Sequence, residues 1–221
     1  MSHLSIANLT KSFGKQTILN TVSFQCEIGE IVGIFGSNGT GKSTLLQCVF
    51  GTTKADTIKI SIDYEDIQAK DMIPDRRIGY LPQDSFLPKE KSVRDIIPLL
   101  FPKGEDQDKI FYTKGIHTIE KTKIGKLALG ELRYLEVVLL CHLEHPFLML
   151  DEPFSMIQPD YKELIKELLA SVKNQKGILI TDHYYEDVLV VADRNLLVKD
   201  GNLFPVKGIL DLQKFGYLRR S

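Results

Sequence analysis

One stretch of nine residues constrains this chain more than any other: Gly36-Ser37-Asn38-Gly39-Thr40-Gly41-Lys42-Ser43-Thr44. Its spacing is Gly, four residues, Gly, Lys and then Ser. Glycines let the backbone wrap closely, so that successive N–H groups can point inward at phosphate oxygens. Lys42 adds a point charge for the outer phosphates, and the Ser43 hydroxyl is placed to ligate Mg²⁺. The helix that starts here aims the partly positive end of its dipole at the same anion. The flanks agree. Ile31-Val32-Gly33-Ile34-Phe35 predicts a buried strand, and residues 44–50 predict a helix. Strand, glycine-rich loop and helix in that order are the setting such a loop requires.

Upstream, Leu4, Ile6 and Leu9, then Val22, Phe24 and Cys26, alternate as half-buried strands do. Turns are expected at Ser12-Phe13-Gly14-Lys15 and Ile28-Gly29-Glu30. These runs, with the alternating segment 57–62, predict an antiparallel β portion beside the loop strand. Phe13 lies in a turn, where an aromatic either stacks on a nucleotide base or closes the edge of a core. Ile78-Gly79-Tyr80-Leu81 predicts a short strand ending at Pro82. Gln83 then stands past a strand end, on the side where α/β sheets bind ligands.

Residues 84–129 change character. Ser92 can cap a helix over 93–100, Pro102 and Gly104 break the chain, and a weaker helix is expected over 106–114. The segment reads as a helical insertion of thin apolar content, either mobile or a docking surface. Beyond it, Leu132, Leu135, Val138, Leu139 and either His142 or Leu143 recur at helical spacing over 130–143. Phe147-Leu148-Met149-Leu150-Asp151-Glu152-Pro153 follows at once. Four apolar residues closed by two carboxylates predict a central parallel strand that presents acids at its C-terminal end. One acid can hold a metal shell, and the other can orient or deprotonate an attacking water. A helix bearing Leu164, Ile165, Leu168, Leu169 and Val172 precedes a further strand over 177–181, with Asp182 and His183 at its end. That position makes His183 a candidate for catalysis or sensing. A hairpin over 194–204, turning at Asp200-Gly201, closes the chain.

A length of 221 residues suits one α/β domain over 1–221, with 84–129 inserted in it. The formal net charge of −1 offers no global field for nucleic acid or anionic lipid, so no nucleic-acid partner is expected. Lys121, Lys123 and Lys126 read as a solvated face. Cys26, Cys48 and Cys141 are far apart among apolar neighbours, which predicts reduced, buried thiols in a cytosolic protein. No apolar run approaches the roughly 18 residues of a membrane span, and no signal-peptide core is present. Any membrane role is therefore expected to come through a partner.

The order of these motifs resembles the ATP-binding cassette (ABC) ATPases over almost the whole chain. The resemblance implies an α/β fold of the P-loop NTPase type. Its core sheet is mostly parallel, with an N-terminal antiparallel β subdomain and an inserted helical subdomain. It implies ATP and Mg²⁺ as cofactors. Phe13 resembles the aromatic that stacks on adenine, and residues 36–44 the Walker A loop. Gln83 resembles the glutamine that touches metal and water, and Asp151 the Walker B aspartate of the metal shell. Glu152 resembles the catalytic carboxylate, and His183 the switch histidine at the γ-phosphate.

Two elements depart from the family pattern. Where its signature reads roughly Leu-Ser-Gly-Gly-Gln/Glu, this chain has Leu127-Ala128-Leu129-Gly130-Glu131. The D-loop segment Ser155-Met156-Ile157-Gln158 has Gln158 where aspartate is usual. In the family both elements act across a dimer, on the nucleotide held by the opposite cassette. The resemblance therefore implies either a slow homodimer or a heterodimer with a second cassette bearing a full signature. Its leading implication is an ATP-hydrolysing subunit of an ABC transporter. Such a subunit docks on one or more transmembrane permease subunits and lies on the inner, cytoplasmic face of the membrane. Two alternatives are a soluble ABC ATPase acting on nucleic acid or ribosomes, and a nucleotide-gated adaptor without catalysis. Asp151-Glu152-Pro153-Phe154 and Ile180-Thr181-Asp182-His183 are similar to the lipopolysaccharide-export and branched-chain amino-acid importer ATPases.

Overall fold

A computed structural model describes residues 2–219. Strands β1 (His3–Phe13) and β2 (Gln16–Glu27) form an antiparallel hairpin that pairs Leu4 with Cys26, Ile6 with Phe24 and Leu9 with Val22. The alternation therefore puts both apolar sets on one face, as the period of two requires. Strands β4 (Thr57–Ile62) and β5 (Glu65–Ile67) extend this sheet in the order β2-β1-β4-β5.

The second sheet has six strands in the order β10-β9-β3-β8-β7-β6. They are β3 (Ile31–Phe35), β6 (Ile78–Leu81), β7 (Phe147–Asp151), β8 (Gly177–Thr181), β9 (Arg194–Lys199) and β10 (Asn202–Val206). All neighbours run parallel except the edge strand β10. The inner strands are apolar throughout because both faces are covered. Ile31, Phe35, Leu148, Leu150, Ile178 and Ile180 face one core with the helices α5 (Leu129–His142) and α6 (Pro159–Val172). Val32, Ile34, Phe147, Met149 and Leu179 face the other core, against the antiparallel sheet and α1 (Lys42–Phe50).

The insertion contains α2 (Val93–Leu100), α3 (Gly104–Phe111) and α4 (Ile116–Ile119). Ser92 caps α2 in a reciprocal box with Asp95, as expected. Helix α3 starts at Gly104 instead of breaking there, and it ends at Phe111 rather than 114. Glu105 and Asp106 in its first turn favour that start through the helix dipole. The insertion's apolar residues are few, yet Val93, Ile96, Ile97, Phe101, Ile110, Ile116 and Ile119 are all buried in the core that α5 shares. Helices α7 (Tyr185–Val191) and α8 (Ile209–Lys214) and strand β5 are short elements with no strong signal of their own. All three cysteines are free and buried. Among the described residues no helix is long and apolar enough to cross a membrane.

Candidate functional site

The parallel strands deliver the candidate residues to one edge. The glycine-rich loop follows β3, Gln83 follows β6, Asp151 ends β7, and His183 follows β8. In the loop, Gly39 and Gly41 take positive φ of 78° and 103°. Gly41 is doubly constrained, since a Cβ there would lie 2.6 Å from Cγ2 of Ile18. Lys42 opens α1 and is buried, and its Nζ donates to Gly36 O at 2.7 Å. Burial lowers its pKa, while the charges of Glu152, Asp151 and Asp182 oppose that shift. A buried ammonium held only by neutral carbonyls is well suited to receive an anion.

Ser43, Gln83, Glu152 and His183 form one contact chain. Gln83 Nε2 donates to Ser43 Oγ at 3.1 Å and to Glu152 Oε1 at 3.0 Å. His183 Nε2 lies 2.7 Å from the same Oε1. Because a carboxylate only accepts, the amide nitrogen of Gln83 and a proton on His183 Nε2 must face Glu152. Glu152 itself has a φ of 60°, the left-handed region that a non-glycine residue rarely adopts. This turn, with Glu152 N–H donating to Thr181 O at 2.8 Å, carries the side chain past the strand end toward the cleft.

Asp151 lies behind that wall at 1% exposure. Thr181 Oγ1 donates to its Oδ1 at 2.6 Å, and the Tyr80 hydroxyl donates to its Oδ2 at 3.3 Å. Burial first, and then the Asp151 charge, push the Tyr80 hydroxyl's pKa up, so it remains a donor. The cleft in front has a volume of about 430 Å³. It brings together Phe13, Asn38, Gly39, Gly41, Lys42, Ser43, Thr44, Gln83, Glu152 and His183. Ser37 and Thr40 line a separate recess behind the loop, and Gly36 and Asp151 line neither. Phe13 is 54% exposed at the rim, with Lys11 Nζ 4.6 Å from its ring centre.

The side-chain oxygens of Ser43 and Gln83 at the cleft, with the Asp151 carboxylate one layer behind them, are of the kind a hard divalent cation takes. Among the described residues no group of three His, Cys, Asp or Glu side chains could hold a metal. An ion here would complete its shell with water and phosphate oxygens, as magnesium does.

Two further segments carry the departures from the family pattern, the N-terminus of α5 and the stretch after Glu152. Ala128 is the N-cap of α5, and its N–H donates to Glu131 Oε2 at 2.8 Å, but alanine has no side-chain acceptor to return the bond. Leu129 is 54% exposed at the first turn. Gly130 is required by packing, since a Cβ would meet Tyr161 Cδ2 at 2.8 Å. Buried Asp182 accepts from Phe154 N (2.7 Å), Ser155 Oγ (2.9 Å) and Tyr184 N (3.0 Å), which ties residues 154–155 to His183's own loop.

The sequence reading did not pick out Tyr80, Thr181, Arg133 or Glu136 as site residues. Arg133 and Glu136 left a trace, a pair of opposite charges three apart on an otherwise apolar helix.

Comparison with known proteins agrees with this geometry. The profile of the ABC transporter family matches residues 19–155. The lipopolysaccharide export system ATP-binding protein LptB of Haemophilus influenzae is 32% identical over 217 residues, spanning 92% of this chain and 89% of that protein. A probable ABC transporter ATP-binding protein of Azorhizobium caulinodans is 31% identical over 214 residues, spanning 90% and 75%. A solved nucleotide-free ATP-binding cassette from an ABC transporter shares the fold at a TM-score of 0.83 and 22% identity, covering 99% of this chain and 96% of that one. With the profile and these relatives in agreement, the chain belongs to the ABC transporter family as one of its ATP-binding cassettes.

Proposed function

We propose that this cassette hydrolyses ATP with magnesium and powers transport through a membrane partner. The observation that carries the reading is the contact of Gln83 and His183 with one oxygen of Glu152, beside Ser43 and Lys42. A module that only bound nucleotide would have no use for a carboxylate oriented by two side chains. In this reading Lys42 and the N–H groups of residues 36–44 bind the phosphates, and Phe13 stacks on adenine. Glu152 holds the attacking water and takes its proton, while Gln83 and His183 orient it. Ser43, Gln83 and Asp151 would hold the magnesium ion, which neutralises charge on the phosphates.

Residues 84–129 would be the helical insertion that docks the membrane partner. Phe86, Leu99 and Leu100 support this, since these large apolar side chains of the insertion are exposed at 44%, 68% and 36%, and Phe86 lies three residues past Gln83. The cassette would then sit on the cytoplasmic face through its partner. Closure on ATP would pair it with a second cassette, and Ala128, Leu129 and Gln158 bear on which one. A signature without its serine hydroxyl loses a charge-assisted hydrogen bond worth about 1.5–3 kcal/mol. Two copies of this chain would turn over slowly, whereas a partner cassette with an intact signature would complete this chain's own nucleotide site.

The test is magnesium-dependent ATPase activity of the purified chain, alone and with membrane subunits recovered by pull-down from native membranes. Activity that disappears in Glu152→Gln supports the reading. Nucleotide binding without hydrolysis under both conditions leaves the adaptor. Ala128→Ser combined with Leu129→Gly should speed the isolated chain, and no change would count against an impaired homodimer.

A further inference from the structure

Helix α5 buries two charged residues that the scheme above does not use. Arg133 and Glu136 have side chains 8% and 1% exposed, and Arg133 Nη1 lies 3.4 Å from Glu136 Oε2. A buried ion pair adds little stability over apolar residues of the same size, because desolvation offsets the attraction. What such a pair does is read from where its remaining hydrogen bonds go.

They go to the two segments that carry Gln83 and Glu152. Arg133 Nη1 donates to Pro82 O at 2.6 Å, the carbonyl of the peptide unit that leads into Gln83. Its Nη2 donates to Asp151 O, and to Glu152 O at 3.3 Å. Glu136 Oε1 accepts from Phe86 N at 3.3 Å. The segment from Pro82 to Phe86 is thus held at both ends by one ion pair. The same guanidinium fixes the carbonyls of both acids where the chain leaves β7. No hydrogen bond from either residue reaches the glycine-rich loop.

We propose that Arg133 and Glu136 are a positioning pair that sets Gln83 against Glu152, so that they govern turnover and metal use but not the binding of the nucleotide itself. The inference rests on the hydrolysis reading. A planar guanidinium suits the task because its donors point in fixed directions at separate carbonyls, which one ammonium cannot serve together. Glu136 keeps that guanidinium in place and supplies the second grip at Phe86.

The test compares Arg133→Lys and Glu136→Gln with the wild-type full-length chain, using Glu152→Gln as the inactive control. Arg133→Lys keeps the charge but loses the fork of donors, and Glu136→Gln keeps the shape but loses the charge, so both spare the approximate volume of the side chain. Steady-state ATPase assays should show kcat reduced about tenfold or more, with KM for ATP within about threefold. ATP affinity without metal should stay at the wild-type value, while the gain in affinity on adding magnesium shrinks about threefold or more. Two outcomes would overturn the proposal. One is a kcat within twofold of wild type together with an unchanged magnesium gain. The other is a joint fall of kcat, metal-free affinity and thermal midpoint, which would make the pair a brace for the fold alone. A wild-type chain as inactive as Glu152→Gln would overturn the hydrolysis reading instead, and the magnesium gain would then decide on the pair by itself.

Discussion

His183 Nε2 lies 2.7 Å from Oε1 of Glu152, although the two residues follow different strands and stand thirty-one positions apart in the chain. The contact exists because β7 and β8 are parallel neighbours in register, Asp151 beside Thr181, so both strands release their chains at the same edge.

The pair should divide its effects unequally. In the proposed reading Glu152→Gln removes the proton acceptor, so it should lower kcat by roughly 10²–10⁴-fold. His183→Ala removes one oriented hydrogen bond and should cost about ten- to a hundredfold. Both variants should bind ATP about as well as wild type, measured by nucleotide titration. Equal losses from both would mean that neither acts as the acceptor.

Phe13 stands at the rim with one ring face near Lys11 and more than half its surface exposed. Stacking on a base adds about 0.5–1.5 kcal/mol beyond buried area. Phe13→Ala should therefore raise the ATP dissociation constant about three- to tenfold. Inorganic triphosphate, which has no base, should compete equally well against both proteins. A parallel loss for triphosphate would place Phe13 in the scaffold of the loop.

Asp187 provides a pH-dependent link between α6 and α7, the helix after His183. Its carboxylate takes Lys162 Nζ at 2.8 Å and Lys166 Nζ at 2.7 Å. Burial alone would raise its pKa, but the hydrogen bonds and charges of the two lysines outweigh it and hold the group below the ordinary range. A depressed carboxyl stabilises the fold above its unfolded pKa, and that contribution is lost as pH falls through the folded value. Asp187→Asn should thus unfold more easily at pH 7 by roughly 1–2 kcal/mol, after discounting for partial exposure. The gap to wild type should close as pH falls below about 4. Denaturant titrations at several pH values check this, and a gap that persists undiminished into acid would contradict it.

Much of the site could be read from residues alone because its pieces are local. The loop at 36–44, the acids closing β7 and the histidine closing β8 each announce themselves within ten residues or fewer. What stayed hidden depends on contacts between distant strands and helices. Tyr80 and Thr181 donate to Asp151 from neighbouring strands, and nothing near either residue signals that role. Arg133 meets Pro82 across fifty-one positions. Helix α7 is carried by one fully buried contact, Val188, over a run of valines that suits a strand equally well. Gly104 starts α3 instead of breaking the chain because its turn-forming tendency yields to the acids that follow it and to the burial of Ile110.

The N-terminus of α5 allows stability and function to be separated. Ala128 gives its N–H to Glu131 but has no side-chain acceptor for the Glu131 N–H, so half of a capping box is missing. Ala128→Ser supplies an acceptor for the Glu131 N–H and should stabilise the fold by about 0.5–2 kcal/mol. Leu129→Gly, one residue into the helix, should cost about 1 kcal/mol in backbone entropy. The double variant should then unfold near the wild-type midpoint. If the signature is what limits hydrolysis, its ATPase rate should still rise about ten- to a hundredfold, in proportion to the recovered hydrogen bond. Measured by calorimetry and by phosphate release on the same preparation, a faster enzyme of unchanged stability would locate the defect at residues 128 and 129. A stabler protein with an unchanged rate would show that the cap serves the helix alone.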